Sequence, residues 1–172
     1  MKALKFILPV AIIVLTYFLY RSIADPIQFE KKKTYVESFV IQKLKDIRSA
    51  EVAYKNIYGE YTASFDTLIN FVKTDSLPIV TKMGDPDDSL SVVTVDTSFV
   101  LVLDSLFGPS YPIDSLAFIP FSGKKFDLQV GEISKGGVVL PVFMARDTDP
   151  IDPSRVLQVG SLTEVSNAGN WE

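Results

Sequence analysis

The 172-residue chain contains no cysteine and no histidine. The first absence excludes disulfides and thiol nucleophiles, and the two together exclude thiolate and imidazole metal sites. Without imidazole the chain also lacks the side chain that most often acts as a base near neutral pH. Carboxylates, Lys, Tyr, Ser and Thr are what remain for chemistry. There is no Gly-x-Ser-x-Gly elbow, no phosphate-binding Gly-rich loop and no His-Glu-x-x-His, so the common hydrolase and nucleotide-binding signatures are missing. No glycine precedes Gly59, no acidic residue precedes Asp25, and the single tryptophan, Trp171, is the penultimate residue.

What is present is globular material. Hydrophobic residues make up 47% of the chain and charged residues 22%, enough apolar surface to close a core and too little charge for a disordered tail. The net charge of −4 is unevenly spread. Residues 1–60 carry ten Lys/Arg against six Asp/Glu, and residues 61–172 carry seven against fifteen. An acidic body repels phosphate backbones, which argues against nucleic acid as a partner of residues 61–172.

Residues 6–20 hold no charge, and apolar character reaches back to Ala3 and Leu4 across Lys5. A helix of about 18 residues covers roughly 27 Å, close to the hydrocarbon thickness of a bilayer once Lys5 snorkels outward. The sequence therefore predicts a membrane anchor in residues 1–24 and an extracytoplasmic domain in residues 25–172. Lys2 and Lys5 precede the span, so the N-terminus is expected in the cytoplasm, with Tyr17 and Tyr20 at the outer interface. The expected location is the inner (cytoplasmic) membrane, single pass, with the C-terminal domain periplasmic or extracellular. Ser22-Ile23-Ala24 also fits a signal-peptidase site. The long apolar run ending in bulky aromatics favours retention, and Pro9 could kink its first third.

Asp25-Pro26 reads as a break or bend, after which residues 27–58 form one amphipathic helix. Phe29, Val36, Val40, Leu44, Ile47, Tyr54 and Tyr58 recur with a period near 3.6, flanked by Phe39, Ala50 and Ile57. The polar side is assigned Lys31, Lys32, Glu37, Lys45, Asp46, Arg48, Glu51 and Lys55. Lys31 to Lys33 reads as a solvated, snorkelling cluster rather than a specific anion site. Gly59 ends the helix. Ser64 is the expected N-cap of a second helix over 65–73, with Phe65, Leu68, Ile69 and Val72 on its apolar side. Pro78 and the run from Gly84 to Ser89 are expected to close the helical part, residues 27–73.

Residues 91–165 read as strand-rich. Val93–Asp96 and Phe99–Leu103 are expected to pair across a turn near Thr97, followed by a loop at Gly108–Pro112 and a short extended piece over 117–120. Lys125–Ile133 and Val138–Ala145 form a hairpin through Gly136-Gly137, with Phe126, Leu128, Val130 and Glu132 on one face. Pro141 demands an edge position or a bulge in the second of these strands. Residues 156–162 supply a last strand. The expected fold class is α+β: a transmembrane helix running into a long amphipathic helix packed on a small antiparallel sheet.

Residues 50–62 read Ala-Glu-x-Ala-Tyr-x-x-x-x-Gly-x-Tyr-Thr, followed by an apolar helix containing Leu68. In this detail over residues 47–72, and in layout over the whole chain, the protein resembles the type IV pilin and pseudopilin superfamily. The resemblance implies that Tyr54 and Tyr61 are core residues. It also implies a non-enzymatic structural subunit of an envelope filament, secretion or motility apparatus, with the membrane and protein partners, self included, in place of a small-molecule substrate. The chain departs from the family in lacking the leader glycine and the acidic residue after it, so prepilin-peptidase processing is not expected. The alternative is a periplasmic accessory or binding subunit of an inner-membrane complex; a hydrolase is a further rival.

No catalytic, cofactor-binding or metal residue is assigned. Asp147, Asp149 and Asp152 could offer oxygen ligands to Ca²⁺, as a C-terminal loop does in some pseudopilins, but the spacing lacks the EF-hand pattern and a solvated loop is the plainer reading. Asp85, Asp87 and Asp88 form a similar cluster. Ser122 and Lys124 imitate a Ser-Lys dyad, with a polar turn as the plainer reading. Trp171 is expected either to fray with the terminus or to dock on the body or a partner.

Overall fold

The structure, a computed structural model, describes residues 4–83 and 94–172, with side chains for Pro9, residues 12–80 and residues 96–172. It is α+β, with a long N-terminal helix and two small antiparallel sheets. The chain divides into two compact units, Met1–Phe39 and Val40–Glu172. Helix α1 spans Leu4–Tyr58 and contains both Pro9 and Pro26. The break expected at Asp25-Pro26 is absent. A proline deletes one helical hydrogen bond and crowds the preceding turn, but the turns on either side keep theirs, and an Arg21–Asp25 ion pair of 3.2 Å braces the turn before it. Among the described residues no helix is long and apolar enough to cross a membrane; the uncharged run of residues 6–20 begins among side chains that lie outside those described.

In the second unit α1 buries Val40, Leu44, Ile47, Ala50 and Ala53. These positions follow the three- and four-residue steps read from the sequence, whereas Tyr58, Ile57 and, in the first unit, Phe29 and Phe39 are exposed. Gly59, with φ of +83°, ends α1, and its N–H bonds Lys55 O at 2.8 Å. Helix α2, Phe65–Thr74, opens as expected on Ser64, whose Oγ accepts from Thr67 N at 3.3 Å. It buries Leu68, Phe71 and Val72; Phe71 takes an inward place that the sequence reading gave to Phe65. Tyr54 and Tyr58 of α1 meet Phe71 edge-on at 5.2 and 5.9 Å.

The region after α2 differs from expectation. Pro78 does not close the helical part but lies within strand β1, Ser76–Met83, which pairs antiparallel with β2, Thr94–Leu101. The expected turn near Thr97 does not occur: residues 94–101 form one strand, and Thr97 stands opposite Val80. A strand partner upstream of the polar run removes the need for a local hairpin. Val102 and Leu103, read as strand, begin the short helix α3, Val102–Leu106. The Gly84–Ser89 run, with Asp85, Asp87 and Asp88, lies outside the described residues. A 3₁₀ turn covers Ile113–Ser115, and residues 117–120 form a turn with only an isolated bridge at Phe118 in place of an extended piece.

The second sheet has the order β3-β4-β5, with β3 at Asp127–Lys135, β4 at Val138–Arg146 and β5 at Gln158–Gly160. Gly136 and Gly137, both at positive φ, make the expected two-residue turn. Pro141 sits opposite Glu132, beyond the three residues of β4 that β5 reaches, so the central strand is locally an edge where the proline stands. Leu128, Ala145 and Val159 form one buried row across all three strands, with Phe143 buried on the same face. Val130 and Glu132 are exposed, because the hairpin runs out past the core.

Candidate functional site

In the first unit every described side chain from Ile12 to Tyr20 is exposed, although most are large and apolar. Ile27, Phe29, Tyr35 and Phe39 continue the exposed apolar surface, and Tyr35 and Phe39 meet edge-on at 5.0 Å. Between them Lys31 and Lys32 are exposed, and Lys33 approaches Glu30 at 4.0 Å. Among the described residues these side chains form an exposed apolar surface built from i, i+4 neighbours.

In the second unit the polar residues of α1 behave unlike the sequence reading. Asp46 and Glu51, assigned to the solvent side, are buried, as is Glu37 in the first unit. Asp46 accepts from Gln42 Nε2 at 2.9 Å and from the Tyr111 hydroxyl at 2.5 Å. Lys43 Nζ donates to the same hydroxyl at 3.1 Å and to Ser115 Oγ at 2.9 Å. Burial lowers the pKa of Lys43 and the charge of Asp46 partly restores it. Burial first, and the bond to Asp46 second, raise the pKa of Tyr111. Lys43 and Ser115 make the Ser-Lys pair that spacing could not reveal, 72 positions apart. Its hydrogen bonds run the wrong way for an activated nucleophile: the ammonium donates to the hydroxyl, and the hydroxyl donates to Pro112 O at 2.7 Å. The network ties the loop carrying Tyr111 to α1.

Glu51 is fully buried at 0% exposure. Its Oε2 accepts from Thr62 N at 3.1 Å, and its Oε1 has no partner among the described residues. Removal from water pushes its pKa up to about 8, against the opposing pull of the Thr62 N–H. Nearby, Tyr61 is buried against Phe143 at 4.7 Å, with its hydroxyl on Asn167 Oδ1 at 3.2 Å, while Tyr54 is half-buried.

The carboxylates of the 147–152 loop go to separate partners. Asp147 is buried and accepts from Asp149 N at 2.8 Å; burial raises its pKa. Asp149 receives Ser122 Oγ at 2.5 Å and Lys124 Nζ at 2.8 Å, and Lys124 above all lowers its pKa. Asp152 caps the next turn through Ser154 N at 3.0 Å. Among the described residues no group of three such side chains is placed to hold a metal ion, so Asp147, Asp149 and Asp152 are not brought together as ligands. Ser122 and Lys124, the expected dyad imitation, instead share one carboxylate.

Comparison with known protein families, with curated proteins and with solved structures finds no match for this chain. The remaining distinctive feature is the C-terminus, which does not fray. Gly169 bridges Val159, Asn170 exchanges bonds with Gln158, and Glu172 pairs with Arg48 at 2.8 Å. The Trp171 ring lies over Gly169, where a Cβ would come within 2.3 Å of it. The tail that carries the tryptophan is held on the body, so the fraying expected as one outcome does not occur.

Proposed function

We propose that the chain is a non-enzymatic, membrane-anchored, pilin-like structural subunit of an envelope filament, secretion or motility apparatus. The observation that carries the reading is the division of labour along α1. Residues 40–53 bury an apolar stripe, while residues 12–39 carry exposed apolar side chains. A helix that keeps Phe29, Tyr35 and Phe39 in solvent is suited to burial against something other than its own domain. The uncharged run of residues 6–20 fits a bilayer, which supports a single pass with the N-terminus inside and the domain outside. The turn Gly59-x-Tyr61, with Tyr61 in the core, supports the pilin-like resemblance. The polar network around Lys43 supports a structural rather than a catalytic role, since Lys43, Tyr111 and Ser115 each donate to an oxygen within the network or the backbone.

The test is intact mass and N-terminal sequence of the mature chain from membranes, together with its resistance to alkaline extraction. A membrane-retained chain starting at Met1 is expected. A soluble chain starting at Asp25 overturns the reading, because the segment that would hold the subunit in the membrane is then gone. For assembly itself, Phe29→Asp with Tyr35→Asp is expected to abolish sedimentation of large complexes while leaving the thermal transition of the domain unchanged.

A further inference from the structure

Glu51 stands on the apolar stripe of α1, one turn after Ile47 and two turns after Leu44, and all three side chains are fully buried. A carboxylate in such a place needs donors for both oxygens, or it keeps its proton. Thr62 N is the donor to Oε2, and Oε1 meets none among the described residues. The neighbouring cations are engaged elsewhere. Arg48, one turn before, is paired with Glu172, and Lys55, one turn after, has its ammonium over the Tyr61 ring at 4.8 Å. Of the other titratable side chains close in sequence, Tyr54 packs on Phe71, Glu60 is exposed and Tyr61 has its hydroxyl on Asn167. None of these charges bears on Glu51, for which burial and the Thr62 N–H are the two influences.

Thr62 belongs to the turn between α1 and α2, residues 59–64, in which Gly59, Glu60, Ala63 and Ser64 are exposed. Among the described residues two hydrogen bonds tie this turn to the rest of the domain, Thr62 N to Glu51 and the Tyr61 hydroxyl to Asn167. Gly59, at φ of +83°, gives its first residue the freedom of a hinge. We infer that Glu51 is a proton-operated latch on this turn: the neutral carboxyl holds the turn shut on α1, and loss of its proton opens the turn so that water reaches Oε1. The negative charge strengthens the bond to Thr62 N but leaves Oε1 charged with no donor, and an exposed turn with two ties is the segment that yields most readily to admit water. The shut form holds its proton up to about pH 8 and the open, hydrated form only up to the ordinary glutamate value. The open population therefore rises about tenfold per pH unit between those limits and levels off above them. The latch goes beyond the membrane-subunit reading and does not rest on it.

Amide hydrogen exchange of the full-length chain in mild detergent, corrected for the intrinsic pH dependence of exchange, reads the latch at Thr62, whose N–H bonds Glu51 directly. Protection of Thr62 is expected to fall about tenfold per pH unit from about pH 5 to about pH 8 while the β3-β4 amides keep theirs. Glu51→Gln keeps the shape of the side chain and cannot ionise, and it is expected to flatten the Thr62 profile. The carboxyl carbon resonance of Glu51 in the unmodified chain, expected to titrate above the ordinary glutamate value, guards against a Glu51→Gln chain that fails to fold. A Thr62 profile as steep in Glu51→Gln as in the unmodified chain overturns the inference, as does a Glu51 carboxyl that titrates at the ordinary value. Protection of the β3-β4 amides falling in step with Thr62 overturns it too, because the whole domain is then opening and not the turn.

Discussion

The two antiparallel sheets use strands of eight or nine residues for their main pairs, and they meet solvent in opposite ways. In the β3-β4-β5 sheet one row, Leu128, Ala145 and Val159, is buried across all three strands. In the β1-β2 ribbon the large residues stand exposed on both faces. The difference lies less in composition than in what covers the strands. The C-terminal segment bonds alongside β5 and Tyr61 packs on Phe143, whereas among the described residues the ribbon β1-β2 has no third strand. Backbone hydrogen bonds alone contribute little net stability, and burial is what separates a core sheet from a ribbon.

The widest gap between the two is expected at Phe143 and Phe99. Phe143→Ala removes a fully buried ring at the centre of the three-stranded sheet and should cost about 3–5 kcal/mol, read as a lowered thermal midpoint of the full chain in mild detergent.

Glu51 sharpens the comparison through pH. Its folded-state pKa, pushed up to about 8, lies above the ordinary glutamate value, so between the two the folded chain holds a proton that the unfolded chain has released. Stability is then full below the ordinary value and falls as pH rises towards 8, by up to about 1.4 kcal/mol per pH unit. Glu51→Gln should flatten that slope in thermal midpoints taken across the window; an unchanged slope would place the titration elsewhere.

Gly160 comes next. It sits at φ of +76°, and a Cβ there would lie 2.2 Å from the Phe143 carbonyl oxygen. Gly160→Ala should cost about 1–3 kcal/mol, visible as faster amide exchange at Val159. The smallest effect belongs to the ribbon: Phe99→Ala should change the midpoint of the lone chain by less than about 0.5 kcal/mol. A larger loss for the membrane-assembled chain than for dilute protein would show that the ribbon is covered only in the assembly.

Much of the fold was legible wherever the signal was local. Gly59 and Ser64 mark the end of α1 and the start of α2 because a left-handed terminus and a capping hydroxyl depend on a few neighbouring residues. Gly136-Gly137 marks the β3-β4 turn for the same reason. Strand β1 was not legible, since Pro78 reads locally as a stop and becomes a strand residue only through Phe99, 21 positions away. Glu51 and Asp46 sit where helical periodicity assigns solvent, and only the turn at Thr62 and the hydroxyl of Tyr111 bring them inside. The candidate site followed the same rule: Ser122 and Lys124 were visible as neighbours, while Lys43 and Ser115 were not.

The sequence by itself determined the α+β class, the apolar steps that α1 buries over residues 40–53, the turn at Gly59, the β3-β4 hairpin and an uncharged run over residues 6–20. Each follows from periodicity or from a residue's own conformational preference, which act over a few positions. Tertiary structure alone decided which carboxylates are buried, which strands pair, that Asp147, Asp149 and Asp152 go to separate partners, and that Trp171 folds back over Gly169. Those outcomes depend on side chains far apart in sequence competing for the same dry space, where one hydrogen-bond partner, present or missing, outweighs any local preference.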